Sequence, residues 1–155
     1  MNSKNFIEED LYNKIRKLMP RPAVDVILFN KDFSKTLLFK RNNSPLKNNY
    51  YSLGGRLHLS ESFLECASRK IKEEIGLIIN KDLLIKVGVI SELFLEKEQK
   101  EHFIVIYFSL ILEEDSNLIL DSQHSESKWF DVEDETIHPY LKKKIRECIK
   151  KKNEN

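Results

Sequence analysis

Of the four glycines in this 155-residue chain, three (Gly54, Gly55 and Gly76) fall within residues 54–77, which read GGRLHLSESFLECASRKIKEEIGL. A glycine pair allows backbone conformations and close approaches that side chains resist, so a tight loop is expected at 54–55. Ser62 and Glu65 have the Ser-x-x-Glu spacing of a capping box, which starts a helix. Phe63, Ala67, Ile71 and Ile75 recur every fourth residue and predict its core face. Gly76 then suits the helix C-terminus. Arg69, Lys70, Glu73 and Glu74 lie off that face. Glu61 and Glu74 are the carboxylates aimed at a loop-bound cation, and oxygen ligands completed by water and phosphate suit Mg²⁺ or Mn²⁺. The plainer reading is a solvated helix face, with Arg69–Glu73 and Lys70–Glu74 as i,i+4 ion pairs.

The rest of the chain reads as strands framed by helices. Ile7, Leu11, Ile15 and Leu18 have helical spacing, and Pro20 and Pro22 stop that helix, placed at about 6–19. Residues 23–29 (AVDVILF) are β-rich and apolar except for Asp25. A turn at 30–35 leads to a strand at 36–40, and further strands are expected at 84–90, 103–112 and 128–132. The charged run 96–101 reads as a solvent-exposed hairpin connection. Pro139 opens a last helix at about 139–151, with Leu141, Ile145 and Ile149 facing the core and lysines facing solvent. No repeat or Pro/Gly linker divides residues 1–155, so one α/β (α+β) domain is expected.

Composition excludes several function classes. A net charge of +1 supplies no global field for nucleic acid or an anionic membrane. The apolar run 102–112 is too short to span a bilayer, and the first residues do not read as a secretory signal. Cys66 and Cys148 lack CxxC spacing, so reduced thiols in a cytoplasmic protein are expected. His58, His102, His124 and His138 lack zinc spacing with either cysteine. There is no Walker loop, GxSxG elbow or dinucleotide fingerprint.

Segment 54–77 resembles the Nudix box, G-x5-E-x7-R-E-U-x-E-E-x-G-U with U aliphatic. Gly55, Glu61, Arg69, Ile71, Glu73, Glu74, Gly76 and Leu77 match in register, eight of nine specified positions. The resemblance implies a Nudix α/β/α sandwich with a mixed β-sheet and the box helix packed on it. The mismatch is Lys70, where the box has a glutamate that binds metal or acts as general base. An ammonium neither binds Mg²⁺ nor accepts a proton unless its pKa falls by several units.

GDP-mannose mannosyl hydrolases are Nudix relatives whose box also lacks that glutamate, and the chain resembles them over about residues 7 to 131. The likeness rests on Val24-Asp25, Lys40-Arg41-Asn42 with Pro45, Gly54-Gly55-Arg56, His102-Phe103-Ile104-Val105, and Asp121-Ser122-Gln123-His124 with Trp129. It implies hydrolysis of a nucleotide sugar at the anomeric carbon, giving GDP or another NDP and free sugar. On that resemblance His124 is the general base, since an imidazole titrates near neutrality. Gln123, Glu74 and the Gly54 carbonyl hold the metal, with Glu73 and Glu61 beside them. Arg41 and Arg56 hold the diphosphate and neutralise the departing nucleotide. Asp25, Phe103 and Tyr12 are substrate-side residues; a core-edge hydrogen bond for Asp25 and helix packing for Tyr12 are the plainer readings. A homodimer through the N-terminal helix is implied as well. The chain departs from these relatives at Tyr50 or Tyr51 in place of a tryptophan, Leu53 in place of a proline, Phe103 in place of a tyrosine, and an acidic Glu73. Two rivals stay open: a conventional Nudix pyrophosphohydrolase giving a nucleoside monophosphate, and a non-catalytic nucleotide-binding domain.

Overall fold

The computed structural model describes residues 6–155. Helix α1 (Glu9–Leu18) leads into β1 (Arg21–Phe29) and β2 (Lys35–Arg41). The short strands β3 (Tyr50–Tyr51) and β4 (Leu53–Arg56) precede helix α2 (Phe63–Ile75). The long hairpin β5 (Ile85–Glu96) and β6 (Gln99–Ile111), strand β7 (His124–Asp131) and helix α3 (Pro139–Asn153) complete the chain. The sheet runs β3-β2-β1-β6-β5, with β4 also paired to β1 and β7 to β2. It is mixed: β1 is parallel to β6, and the other pairs are antiparallel.

Helices cover both faces of β1, which explains why its sequence is an almost unbroken apolar run. Val24, Val26 and Leu28 pack with Cys66, Ala67, Ile71 and Ile75 of α2 in one core. Ala23, Ile27 and Phe29 point the other way and pack with Leu141, Ile145 and Cys148 of α3. The period of two puts Asp25 on the α3 side. This is an α/β/α sandwich.

Several expectations need correction. Phe63 is 39% exposed, and the buried face of α2 is instead Cys66, Ala67, Ile71, Glu74 and Ile75. The side chain at the first helical position sits above the core, so the spacing extends one turn too far. No residue of α1 is buried, and Ile7 lies before its first turn. The 96–101 connection shrinks to a turn at Lys97 and Glu98, because the β5–β6 ladder continues to Glu96↔Gln99. The strands β3 and β4, two and four residues long, had no period to announce them. In α3 the lysines do not all face water: Lys144 is 0% exposed.

Local signals fix α2 where the sequence placed it. The Ser62 hydroxyl accepts from the Glu65 N–H at 3.1 Å, and the Glu65 carboxylate accepts from the Ser62 N–H at 2.7 Å. Gly76 closes the helix at φ 74, in the left-handed region that favours glycine. We expect Ser62→Ala to cost about 1 kcal/mol. Urea unfolding should show a lower midpoint at unchanged slope; an unmoved midpoint would mean the cap contributes nothing.

Candidate active site

Gly54 and Gly55 lie within strand β4, where a tight loop was expected, and β4 is built against β1. Strand β4 pairs with β1 so that Gly54 faces Asp25. A Cβ on Gly54 would stand 2.0 Å from Asp25 Oδ1 and 2.7 Å from the Val24 carbonyl oxygen, so no other residue fits. The close approach that requires Gly54 is to a carboxylate of the protein itself.

Helix α2 and the residues just before it then deliver three carboxylates, each met by a cation or an amide. Arg69 clamps Glu61 with two bonds, Nε–Oε1 at 2.6 Å and Nη2–Oε2 at 3.1 Å, and Glu61 also accepts from the His58 N–H at 2.9 Å. Burial raises the Glu61 carboxyl, but the Arg69 guanidinium and the His58 amide outweigh it and bring it down to about 2. Arg69 also donates to the Arg56 carbonyl at 3.0 Å, which fastens the helix to the loop. Lys70 Nζ lies 3.0 Å from Glu74 Oε1 and 3.3 Å from Glu73 Oε2. Burial disfavours its ammonium, but Glu74 and Glu73 hold its pKa above that of an ordinary lysine. Glu74 is 1% exposed, and its Oε2 accepts from the Gly54 N–H at 3.3 Å.

The chain returns to this site through a segment that no periodicity marked. The Ile119 N–H bonds to the Ile75 carbonyl at 3.0 Å and the Asp121 N–H to the Glu74 carbonyl at 3.1 Å, so residues 119–121 run along the end of α2. Asn42 holds the next turn, its N–H on the Gln123 carbonyl at 2.8 Å and its side chain on the Ser122 carbonyl at 2.9 Å. His124 Nδ1 lies 2.9 Å from Asp121 Oδ1, which orients the ring. The ring meets Phe39 edge-on at 5.7 Å, and the side chain is 2% exposed. Across the β2–β7 ladder His124 pairs with Arg41, past a register slip between Phe39 and Arg41. Such a slip re-aims the side chains beyond it.

Two adjoining clefts open over these elements. One, of about 250 Å³, is lined by Asp25, Arg41, Tyr51, Ser52, Gly54, Arg56, Lys70, Glu92, Phe103 and Gln123 among others. The second, of about 1080 Å³, is lined by Glu61, Arg69 and Glu73 and shares Tyr12, Arg56, Lys70 and Gln123 with the first. A separate cavity of about 550 Å³ near the start of α3 contains none of these residues.

The residues 19–151 match the NUDIX domain family. The chain belongs to that family. Among curated proteins it is similar to low-salt glycan biosynthesis protein Agl8 of Haloferax volcanii, 26% identical over 141 residues, which are 88% of this chain and 87% of that one. It is also similar to an ADP-ribose pyrophosphatase of Methanocaldococcus jannaschii, 38% identical over 109 residues, 70% of this chain and 61% of that protein. Among solved structures, a MutT protein of Methanosarcina mazei Go1 superposes with a TM-score of 0.67 at 21% identity, covering 89% and 99% of the two chains. That likeness confirms the Nudix sandwich.

In this Nudix hydrolase the fold brings Gly54, Gln123, Arg41, Arg56, Asp25, Tyr12 and Phe103 to one cleft, and Glu61 and Glu73 to its neighbour. Glu74 and the His124 ring lie behind the lining. Asp25 faces Ser52 Oγ at 3.3 Å and Lys144 Nζ at 2.6 Å, and Tyr12 Oη accepts from Arg21 at 2.7 Å. The oxygens of Glu74, Gln123 and Gly54 are chemically suited to one hard cation that keeps water and substrate oxygens in its shell. Among the described residues no group of three or more His, Cys, Asp or Glu is placed to hold a metal, so such an ion would rest on few carboxylates. Both cysteines are buried, and burial pushes each thiol up to about 12, which rules them out as nucleophiles. Sequence reasoning missed Ser52, Tyr51, Glu92 and Lys144. The one hint of them was the lone Asp25 in an apolar strand, which needs a partner cation.

The Glu61 clamp sets a pH dependence. Its folded pKa lies below the usual 4.5, so its stabilisation is complete above about 4.5 and is lost as pH falls toward about 2. Arg69→Met should therefore unfold at lower temperature than wild type near pH 7, with the gap narrowing through that acid window. A gap independent of pH would show that the pair is not the cause.

Proposed function

We propose that this Nudix hydrolase cleaves a nucleoside-diphosphate sugar between the anomeric carbon and the phosphate oxygen, releasing NDP and free sugar. The observation that carries the reading is Lys70, whose ammonium sits on Glu73 and Glu74 where the Nudix box has its basic or metal-binding glutamate. A retained ammonium accepts no proton, so the base must lie elsewhere. His124 with its orienting Asp121 is the base-and-orienter pair next to the cleft, one residue from the lining Gln123. The ring lies just behind the cleft wall, its side chain 2% exposed. His124 then removes a proton from water, the water oxygen attacks the anomeric carbon, and the C–O electron pair leaves on the NDP oxygen. Arg41 and Arg56 bind the diphosphate and offset the charge that develops on it. Mg²⁺ (or Mn²⁺) held by Glu74, Gln123 and the Gly54 carbonyl, with Glu61 and Glu73 nearby, would supply further charge neutralisation at the phosphates. Asp25, Tyr12 and Phe103 contact the non-phosphate parts of the substrate. The glycan-biosynthesis relative, matched along 87% of its length, supports a sugar-linked substrate.

A second reading is conventional pyrophosphate cleavage. It is favoured by the 38%-identical ADP-ribose pyrophosphatase and by Glu61 and Glu73 on the larger cleft. Product analysis separates the two. Incubation with GDP-mannose, other NDP-sugars and ADP-ribose with Mg²⁺, followed by ion-exchange chromatography, should give NDP and free sugar from an NDP-sugar and leave ADP-ribose, which has no anomeric C–O–P bond, intact. A nucleoside monophosphate with a sugar phosphate would establish the pyrophosphatase, and ligand binding without turnover a non-catalytic domain. His124→Ala should lower kcat by about 10²–10⁴-fold; full activity would remove His124 from the mechanism.

We extend the reading to assembly. The apolar stripe of α1 is left uncovered, with Leu11 52% and Leu18 83% exposed, and a second copy packed on it would bury that surface. Light scattering at micromolar concentration should report a dimer; a monomer mass would overturn this.

A further inference from the structure

Beneath the smaller cleft Asp25 belongs to a charge cluster whose other members have no part in the chemistry just described. Lys144, from the middle of α3, is fully enclosed. Its Nζ is 2.6 Å from Asp25 Oδ2 on β1 and 2.6 Å from Glu92 Oε1 on β5. It is 3.3 Å from Tyr51 Oη on β3, whose hydroxyl donates to Glu92 Oε1 at 2.7 Å. Four separate elements thus meet at one ammonium. Apolar side chains of similar volume in place of Lys144, Asp25 and Glu92 together would fill this space without the desolvation that the three charges require. Stability alone therefore gives the cluster no reason to exist.

Its members differ in what they present to the cleft. Lys144 does not line it, whereas Asp25, Tyr51, Ser52 and Glu92 do. The Asp25 side chain is 11% exposed, against 3% for Glu92. Two carboxylates against one ammonium leave one excess negative charge, so the floor is rich in acceptors. The cations of the same cleft, Arg41, Arg56 and Lys70, belong to the end of β2, to β4 and to the box helix α2. A molecule that satisfies both is anionic at one end and carries hydroxyl donors at the other.

We propose that Lys144 is a positioning residue for substrate specificity: it fixes Asp25 as the hydrogen-bond acceptor for the hydroxyl-bearing, non-nucleotide half of the substrate, with Glu92 and Tyr51 bracing Lys144 from behind. This rests on the nucleotide-sugar reading and adds to it the residues that select the sugar. Oδ2 is occupied by Lys144 and Ser52, and Oδ1 lies against the Gly54 backbone. The carboxylate is therefore locked in one rotamer. Without Lys144 it turns away from a buried, uncompensated Glu92.

The test is a double-mutant cycle on the NDP-hexose that wild type turns over, with bare NDP as the control ligand. Lys144→Met and Asp25→Asn should each lower kcat/KM by about tenfold or more, and the double variant should lose no more than either alone, because the two act as one unit. Calorimetric affinity for NDP should stay within about twofold of wild type, a result that general disruption of the fold would not give. Glu92→Gln with Lys144→Met keeps the net charge of the cluster and relieves the unpaired carboxylate, which guards against a variant that does not fold. It should melt near wild type and still show the loss. Additive losses, an equal loss of NDP affinity, or recovery of kcat/KM in Glu92→Gln/Lys144→Met would overturn the proposal and leave the reaction assignment standing. If wild type releases sugar from no NDP-hexose, the reaction assignment fails and this proposal with it.

Discussion

Strand β1 is buried on both faces and hydrogen-bonded along both edges, and a charge placed in its middle must be answered from within the protein. Asp25 is that charge, and Lys144 answers it from α3 across 119 positions of sequence. The same carboxylate stands so close to β4 that only glycine fits opposite it. Gly54 in turn donates its N–H to Glu74 of α2. One carboxylate thus fixes the separation of β1 and β4, and β4 sets where the box helix begins. The site is held at its rear by an ionic contact and at its front by the glycine that contact demands.

Around α2 the dominant effect is compensation. Glu61 is held by Arg69, and Glu74 and Glu73 share Lys70. With a glutamate at position 70, Glu74 would lose its cation and gain a like charge one turn away, an arrangement that an ion of higher charge must stabilise. Lys70 removes that demand at Glu74 and places an ammonium in the cleft beside Arg41 and Arg56. The Nudix scaffold is kept, while the balance of charge at the site moves from carboxylates toward cations.

The signals the chain carried openly were local ones. Ser62, Glu65 and Gly76 define α2 because a capping box and a left-handed cap are satisfied within a few residues. The Nudix register was legible for the same reason, since its side chains are spaced along a single loop and helix. The turn at 121–124 was legible only by resemblance; what fixes it is Asn42, 80 positions away. The exposure of Phe63 and of the α1 stripe was not legible, because helical spacing reports which residues share a face and not what covers that face.

The sequence by itself determined the longer elements, the Nudix-box segment and its helix, and the substitution of an ammonium for a carboxylate at position 70, all matters of neighbouring residues and short-range hydrogen bonds. The tertiary structure alone decided that a lysine of an apparently solvent-facing set points inward, that Asp25 and Glu92 converge on it, and that His124 turns its ring toward Phe39. Those outcomes depend on which faces of distant elements meet once the sheet is assembled. A buried charge finds its partner in space, and its separation along the chain leaves no mark in the periodicity of either segment.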